Sequence, residues 1–208
     1  MTFFPDHRFD DAASFLDAYA ERVGRAHASV DRGAIRAAAG LLGEAVARGS
    51  MLYSCGNGGS AAIANHLVCD CLKGAANGST IRPRVYSLSS ASELMSAIVN
   101  DIGVEEVFAL PLRSLGLADD VLIAISSSGA SANIVRALEV AAERGMRTIA
   151  MTGFDGGAAR RLADVCLHVE ADNYGVVEDV HQSLMHVLAQ YLRQTALRDP
   201  ADFGKVRF

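Results

Sequence analysis

The chain has 208 residues, of which 50% are hydrophobic and 21% charged, with a formal net charge of -5 and a pI near 5.6. That is enough chain to bury one core in a single main domain, and an acidic balance with no run of Lys or Arg excludes the electrostatic footprint of a nucleic-acid or anionic-membrane binder. No apolar stretch of roughly 18 residues and no signal pattern is present, so the expectation is a cytoplasmic protein with neither a membrane nor a nucleic acid as partner, whose Cys55, Cys69, Cys71 and Cys166 are reduced thiols.

Residues 8 to 48 carry helical spacing, with Phe15, Tyr19 and Val23 on one stripe and Ile35, Ala38, Leu41, Leu42, Ala45 and Val46 on another. Asp31-Arg32-Gly33 separates two helices. From there short β-rich runs alternate with helical ones: strand 51–55, helix 60–73, strand 84–89, helix 91–99, strand 120–126, helix 132–144, strand 147–152, helix 157–163, strand 165–170 and a long helix 176–197. The helix at 132 is well specified, with Ser131 as N-cap, Ile134, Val135, Leu138 and Ala142 on its buried side, and Gly145 as its stop. Residues 74 to 82 read as a polar loop. The alternation predicts an α/β fold with a mainly parallel five-stranded sheet covered on both faces.

Two Ser/Gly-rich turns, each ending a strand and opening a helix, stand out: Ser54-Cys55-Gly56-Asn57-Gly58-Gly59-Ser60 and Ser126-Ser127-Ser128-Gly129-Ala130-Ser131. Free N–H groups and the dipole at a helix start favour an anion, and hydroxyls add donors without charge. Neither turn continues into Gly-Lys-Ser/Thr, and no acidic residue closes a following strand, so a nucleotide is disfavoured and a phosphorylated small molecule is the expected ligand. In parallel sheets such turns lie at the carboxyl edge, where two of them can share one site.

His66 and Asp70 are four apart and share a helix face. Glu178, Gln182 and His186 form a second row on the last helix, with Asp179 and His181 beside it. If the two helices face one cleft, two imidazoles and one or two carboxylates can hold a divalent ion such as Zn2+; the same spacing is also common on solvated faces. Cys69 and Cys71 read as packing residues, and Lys73, Arg82 and Arg84 as solvated charges.

With Asn100-Asp101, Asn133 and Thr152-Gly153-Phe154-Asp155-Gly156-Gly157 added to these turns and to His66, the chain resembles the sugar-isomerase (SIS) domain family, most nearly its phosphoheptose isomerases, over almost its whole length to about Gln194. The resemblance implies a three-layer αβα sandwich at 51–197, an N-terminal helical segment at 1–50 that serves assembly, and a C-terminal tail at 198–208. It also implies a homotetramer with active sites at subunit interfaces. Its implied activity is the conversion of sedoheptulose 7-phosphate to D-glycero-D-manno-heptose 7-phosphate through an enediol. The phosphosugar would be held by Asn57, Gly58, Gly59, Ser60, Asn100, Asp101, Ser126, Ser127, Ser128, Ser131 and Glu178, and zinc by His66, Asp70, Glu178 and His186.

The resemblance makes the carboxylate at position 70 the base and His186 the acid, but the family usually has Glu at 70 and Gln at 178, where this chain has Asp70 and Glu178. The paired departures predict that the two residues have exchanged duties. They also open the choice of substrate to other phosphosugars of specialised nucleotide-sugar pathways. A non-catalytic SIS protein that binds a replication initiator, or a phosphosugar sensor, is the alternative from another class. Four ionisable, metal-competent side chains and the lack of a helix-turn-helix favour the enzyme.

Overall fold

Five strands, each reached through a helix rather than a hairpin, form one parallel sheet. They are β1 (Met51–Gly56), β2 (Arg84–Ser87), β3 (Val121–Ser126), β4 (Arg147–Thr152) and β5 (Val165–His168), in the spatial order β2-β1-β3-β4-β5. The helices are α1 (Ala12–Ser29), α2 (Arg32–Arg48), α3 (Gly59–Cys69), α4 (Ser92–Asp101), α5 (Glu106–Leu115), α6 (Ala132–Glu143), α7 (Ala159–Leu162) and α8 (Tyr174–Thr195). These assignments come from a computed structural model that describes residues 3–197, 199, 201, 203–205 and 208. Of the segment read as a tail, residues 198, 200, 202, 206 and 207 lie outside the described residues.

Alternation along the strands divides the core into two layers. Val121, Ile123 and Ile125 of β3 face one side, where they join Ala38, Leu41 and Leu42 of α2, Ile63 and Leu67 of α3, and Val180 and Leu184 of α8. Leu122 and Ala124 face the other side and pack with Phe108 and Leu112 of α5 and with Ile134 and Leu138 of α6. All six residues of β3 are buried, as expected of a central parallel strand covered on both faces. The three-layer α/β architecture is therefore the one the alternation predicts. The N-terminal helices also belong to the first layer, since Ala26 and Val30 join it.

Three local features differ from the sequence expectation. Residues 106 to 115 form α5, a helix that carries Pro111 inside it and so gives a broken helical signal. The helix expected over 60–73 ends at Cys69 and continues as a π-helical turn, Asp70–Ala75. The strands expected to reach 89 and 170 stop at Ser87 and His168. Ser89 leaves the sheet because its hydroxyl pairs with both backbone groups of Gly56, accepting from the N–H at 3.0 Å and donating to the carbonyl at 2.8 Å.

Strand order fixes where a ligand can sit. From β1 the chain crosses to β2 on one side, and from there it returns to β3 on the other. The crevice outside the carboxyl ends of β1 and β3 is therefore the switch point at which doubly wound sheets bind ligands. Both Ser/Gly turns leave the sheet there, with Gly56 of β1 opposite Ile125 of β3.

Candidate active site

The first turn delivers the chain into α3 with no side chain capping its start, Gly58 being the N-cap. The N–H groups of Gly59 and Ser60 in the first α3 turn are thus left for a ligand, while that of Ala61 donates to the carbonyls of Asn57 and Gly58. The second turn does the same for α6: Ser131 is the N-cap, as the sequence predicts, yet its hydroxyl makes no capping bond. Two more hydroxyls accept from the turn's own backbone, Ser126 Oγ from Gly129 N–H at 3.2 Å and Ser128 Oγ from Ala130 N–H at 3.3 Å. Their protons remain available to an anion. Ser127 Oγ is buried with no partner among the described residues, a donor kept dry at the end of β3.

The turns are joined by a reciprocal amide pair. Asn57 Nδ2 donates to Asn133 Oδ1 and Asn133 Nδ2 donates to Asn57 Oδ1, each at 2.9 Å.

Helices α3 and α8 run side by side and carry the ionisable groups. At the far end of α3, Asp70 is buried, with Oδ1 at 3.2 Å from His66 Nε2 and Oδ2 at 2.7 Å from His186 Nδ1. His186 Nε2 lies 2.9 Å from Gln182 Nε2; with that amide donating, Nδ1 carries the proton that Asp70 accepts. The two imidazole rings meet edge to face at 5.0 Å. The ligand atoms of His66, Asp70 and His186 all lie within 4.8 Å of one another. A carboxylate between two imidazoles is a fitting donor set for Zn2+ or a similar divalent ion. The π-helical turn that begins at Asp70 is a device often found at functional positions.

Glu178 stands apart from this group. Its carboxylate lies against Gly59 so closely that a Cβ there would fall 2.2 Å from Oε2, so any side chain at this position would displace the carboxylate. Among the described residues it takes no hydrogen bond or salt bridge. Burial, and secondly the charge of Asp179, push its pKa up. Asp179 itself accepts a hydrogen bond from Tyr19 OH at 2.8 Å, and His27 Nε2 meets Ser183 Oγ at 3.1 Å, so α1 grips the face of α8 next to the site.

The remaining predicted residues divide. Ser60 is buried in the first turn of α3. Asn100 and Asp101 are exposed at the end of α4, where Asn100 Nδ2 donates to Asp101 Oδ1 at 2.6 Å, and no hydrogen bond joins them to the turns among the described residues. Cys69 and Cys71 lie outside the metal group, and burial pushes the Cys71 thiol up to about 12. Arg82 and Arg84 donate to backbone carbonyls, Arg84 to that of Gly49 at 3.0 Å. A cleft of about 830 Å³ opens behind the second turn, lined by Phe4, Arg22, Arg25 and Phe154; it touches Ser128 but none of the three metal-competent residues.

His181, which the sequence sets beside the row of Glu178, Gln182 and His186, lies outside the metal group: it is fully buried, with neither ring nitrogen hydrogen-bonded among the described residues. Burial lowers its pKa to about 4. Because the unfolded chain titrates near the usual 6.5, stability from the neutral ring is complete above pH 6.5 and is lost as pH falls toward 4. A loss on the order of 3 kcal/mol across that window is expected. Urea titrations at both ends of the window check it, and His181→Leu is expected to flatten the acid limb.

Comparison with known proteins agrees with this geometry. Two SIS domain family models match, over residues 14–153 and 113–195. A phosphoheptose isomerase of Helicobacter pylori (strain P12) is 37% identical over 154 residues, covering 74% of this chain and 80% of its own. One of Alteromonas mediterranea is 35% identical over 173 residues, covering 82% and 86%. The solved structure of a phosphoheptose isomerase from Francisella tularensis superposes with a TM-score of 0.81 at 30% identity, covering 88% of this chain and 99% of that one. The chain belongs to the SIS domain family, in its phosphoheptose isomerase branch.

Proposed function

We propose that the chain interconverts the ketose and aldose forms of a seven-carbon sugar phosphate, taking sedoheptulose 7-phosphate to D-glycero-D-manno-heptose 7-phosphate. Isomerisation needs a cradle for the phosphate, a base that moves a carbon-bound proton between C1 and C2, and a polar group at the oxygens. The observation that carries the reading is the course of α3, which starts in an uncapped anion-binding turn and ends in the His66–Asp70–His186 group.

In this reading the phosphate lies among Ser126, Ser127, Ser128 and Ser131, and the sugar lies along Asn57, Gly58, Gly59 and Ser60. Glu178 takes the proton from C1; the C–H electron pair becomes the C1=C2 bond, and the carbonyl pair moves to O2, which accepts a proton to give the enediol. Loss of the O1 proton and return of the carbon-bound proton at C2 yield the aldehyde. What supports Glu178 as base is its unengaged carboxylate against Gly59, whereas both oxygens of Asp70 are engaged by imidazoles. This is the exchange of duties that the two sequence departures predict. His186, held by Asp70 and Gln182, serves the oxygen end.

His66, Asp70 and His186 would hold the divalent ion, with Glu178 outside their group. Zn2+ bound there would polarise the substrate's oxygens. Asn100 and Asp101 make no hydrogen bond to the turns of their own chain among the described residues, which is compatible with a homotetramer in which a partner subunit supplies them. The exposed Leu94, Val99, Ile102 and Val104 around α4 support such an assembly, with residues 1–50 contributing to it. No helix among the described residues is long and apolar enough to cross a membrane, and a sugar phosphate substrate is in keeping with the cytoplasm.

The test is to incubate the zinc-loaded protein with sedoheptulose 7-phosphate and follow the aldose by NMR. Turnover that a chelator abolishes and zinc restores is expected. A protein that binds zinc but leaves the ketose unchanged overturns the assignment.

A further inference from the structure

We propose that Asn133 is a positioning residue, which holds the Asn57 amide at the mouth of the site and through it sets the affinity for substrate. The inference rests on the reading that the first turn takes the phosphosugar. Asn133 is the second residue of α6 and is only 6% exposed, whereas Asn57 is exposed on the first turn. A buried amide is costly unless it is hydrogen-bonded. Here both side-chain bonds of Asn133 go to Asn57, 76 positions away in the chain, and no other hydrogen bond to its side chain is present among the described residues.

A single neutral hydrogen bond would leave Asn57 free to pivot about it. Two antiparallel bonds fix both the position and the plane of the amide. Asn57 then keeps one N–H and one lone pair of Oδ1 for a ligand, aimed before the ligand arrives. An exposed side chain that is already ordered spares the complex the rotamer entropy otherwise lost on binding. The pair also crosses the switch point between β1 and β3, so it braces the two turns at one separation. A ligand that spans both meets a fixed distance between its anion and its sugar hydroxyls.

A brace of this kind acts alike on substrate and transition state, so its loss raises KM and leaves kcat nearly unchanged. The experiment is a double-mutant cycle on the zinc-loaded protein with sedoheptulose 7-phosphate, using Asn57→Ala, Asn133→Ala and the double variant. Each single change is expected to raise KM about tenfold with kcat within about threefold, and the double variant is expected to be no worse than the weaker single one. Asn133→Leu, of similar volume but unable to hydrogen-bond, keeps the helix packed and is expected to match Asn133→Ala.

If Asn57→Ala keeps wild-type KM and kcat, the reading of the first turn fails and the inference falls with it. If Asn57→Ala is impaired while both Asn133 variants are silent, the reading stands and the inference is overturned. Full additivity in the double variant overturns it as well, because Asn133 would then act on its own. A fall in kcat with unchanged KM does the same, since it would place Asn133 in the chemistry rather than behind Asn57.

Discussion

Alanine at His186 is expected to lower kcat by about three orders of magnitude, within the range that a positioned acid or base contributes, and to cost about 1–3 kcal/mol of stability by taking a partner from the buried Asp70 carboxylate. The side chain is 36% exposed, so truncation removes little packing. What it removes is the contact on which the group turns. Asp70 Oδ2 loses its 2.7 Å partner and Gln182 loses the nitrogen it faces, so the donor set falls from two imidazoles to one. Steady-state kinetics, metal content and a urea midpoint on the same preparation check the three parts together. A kcat within tenfold of wild type at equal metal loading sinks the assignment of His186 to the oxygen end.

The second large effect is on folding. Gly129→Ala is expected to destabilise the chain by about 4 kcal/mol, the upper range for a single substitution, and to lower Tm by about 10 °C. Gly129 has φ +63°, and a Cβ there would lie 2.0 Å from the carbonyl oxygen of Gly156. The neighbouring Gly157, at φ +51°, is pressed against the carbonyl of Gly129 in turn, with a Cβ 2.5 Å away. The atoms in the way are backbone, so neither clash can be relieved by a side-chain rotation. This clasp carries the second turn against the loop after β4, and Ala159 N–H donating to Gly129 O at 2.9 Å completes it. Gly157→Ala is expected to behave alike, and the double variant to cost much less than the sum because the sites share one contact. Denaturant melts of the three variants decide it, and a shift under 1 kcal/mol for Gly129→Ala excludes the clasp.

Much of this was legible in the sequence because it is local. Ser131 and Gly145 mark the ends of α6 through backbone requirements that act within a few residues. Four-residue spacing put His66 and Asp70 on one face, and their 3.2 Å approach follows from the helix alone. What was illegible is what the sheet order brings together. That β1 neighbours β3 and not only β2 is a property of packing, and from it follow the Asn57–Asn133 pair and the place of Ser89 against Gly56. Nor does spacing tell that Glu178 leans on Gly59 while His186 reaches Asp70, since both sit on one row of α8. The missed helix α5 shows the opposite limit, where a strong local signal misleads: Pro111 breaks the pattern, but the burial of Phe108 and Leu112 stabilises the helix regardless. His181 was visible as a residue beside that row of α8, but spacing alone gives no sign that its ring faces the core and not the site.

The order of the strands also determines when in folding the site comes into being. All four ladders are parallel, so no strand can zip onto its chain neighbour through a tight turn, and each pairing waits for a whole crossover to close. Such distant closures make folding slow. The candidate site waits on such a closure too, since Asp70 meets His186 across 116 positions. A chain emerging from the ribosome through β4 already holds both Ser/Gly turns and the amide pair, yet has no α8 to set beside α3. Only α8 brings His186, which completes the group begun by His66 and Asp70.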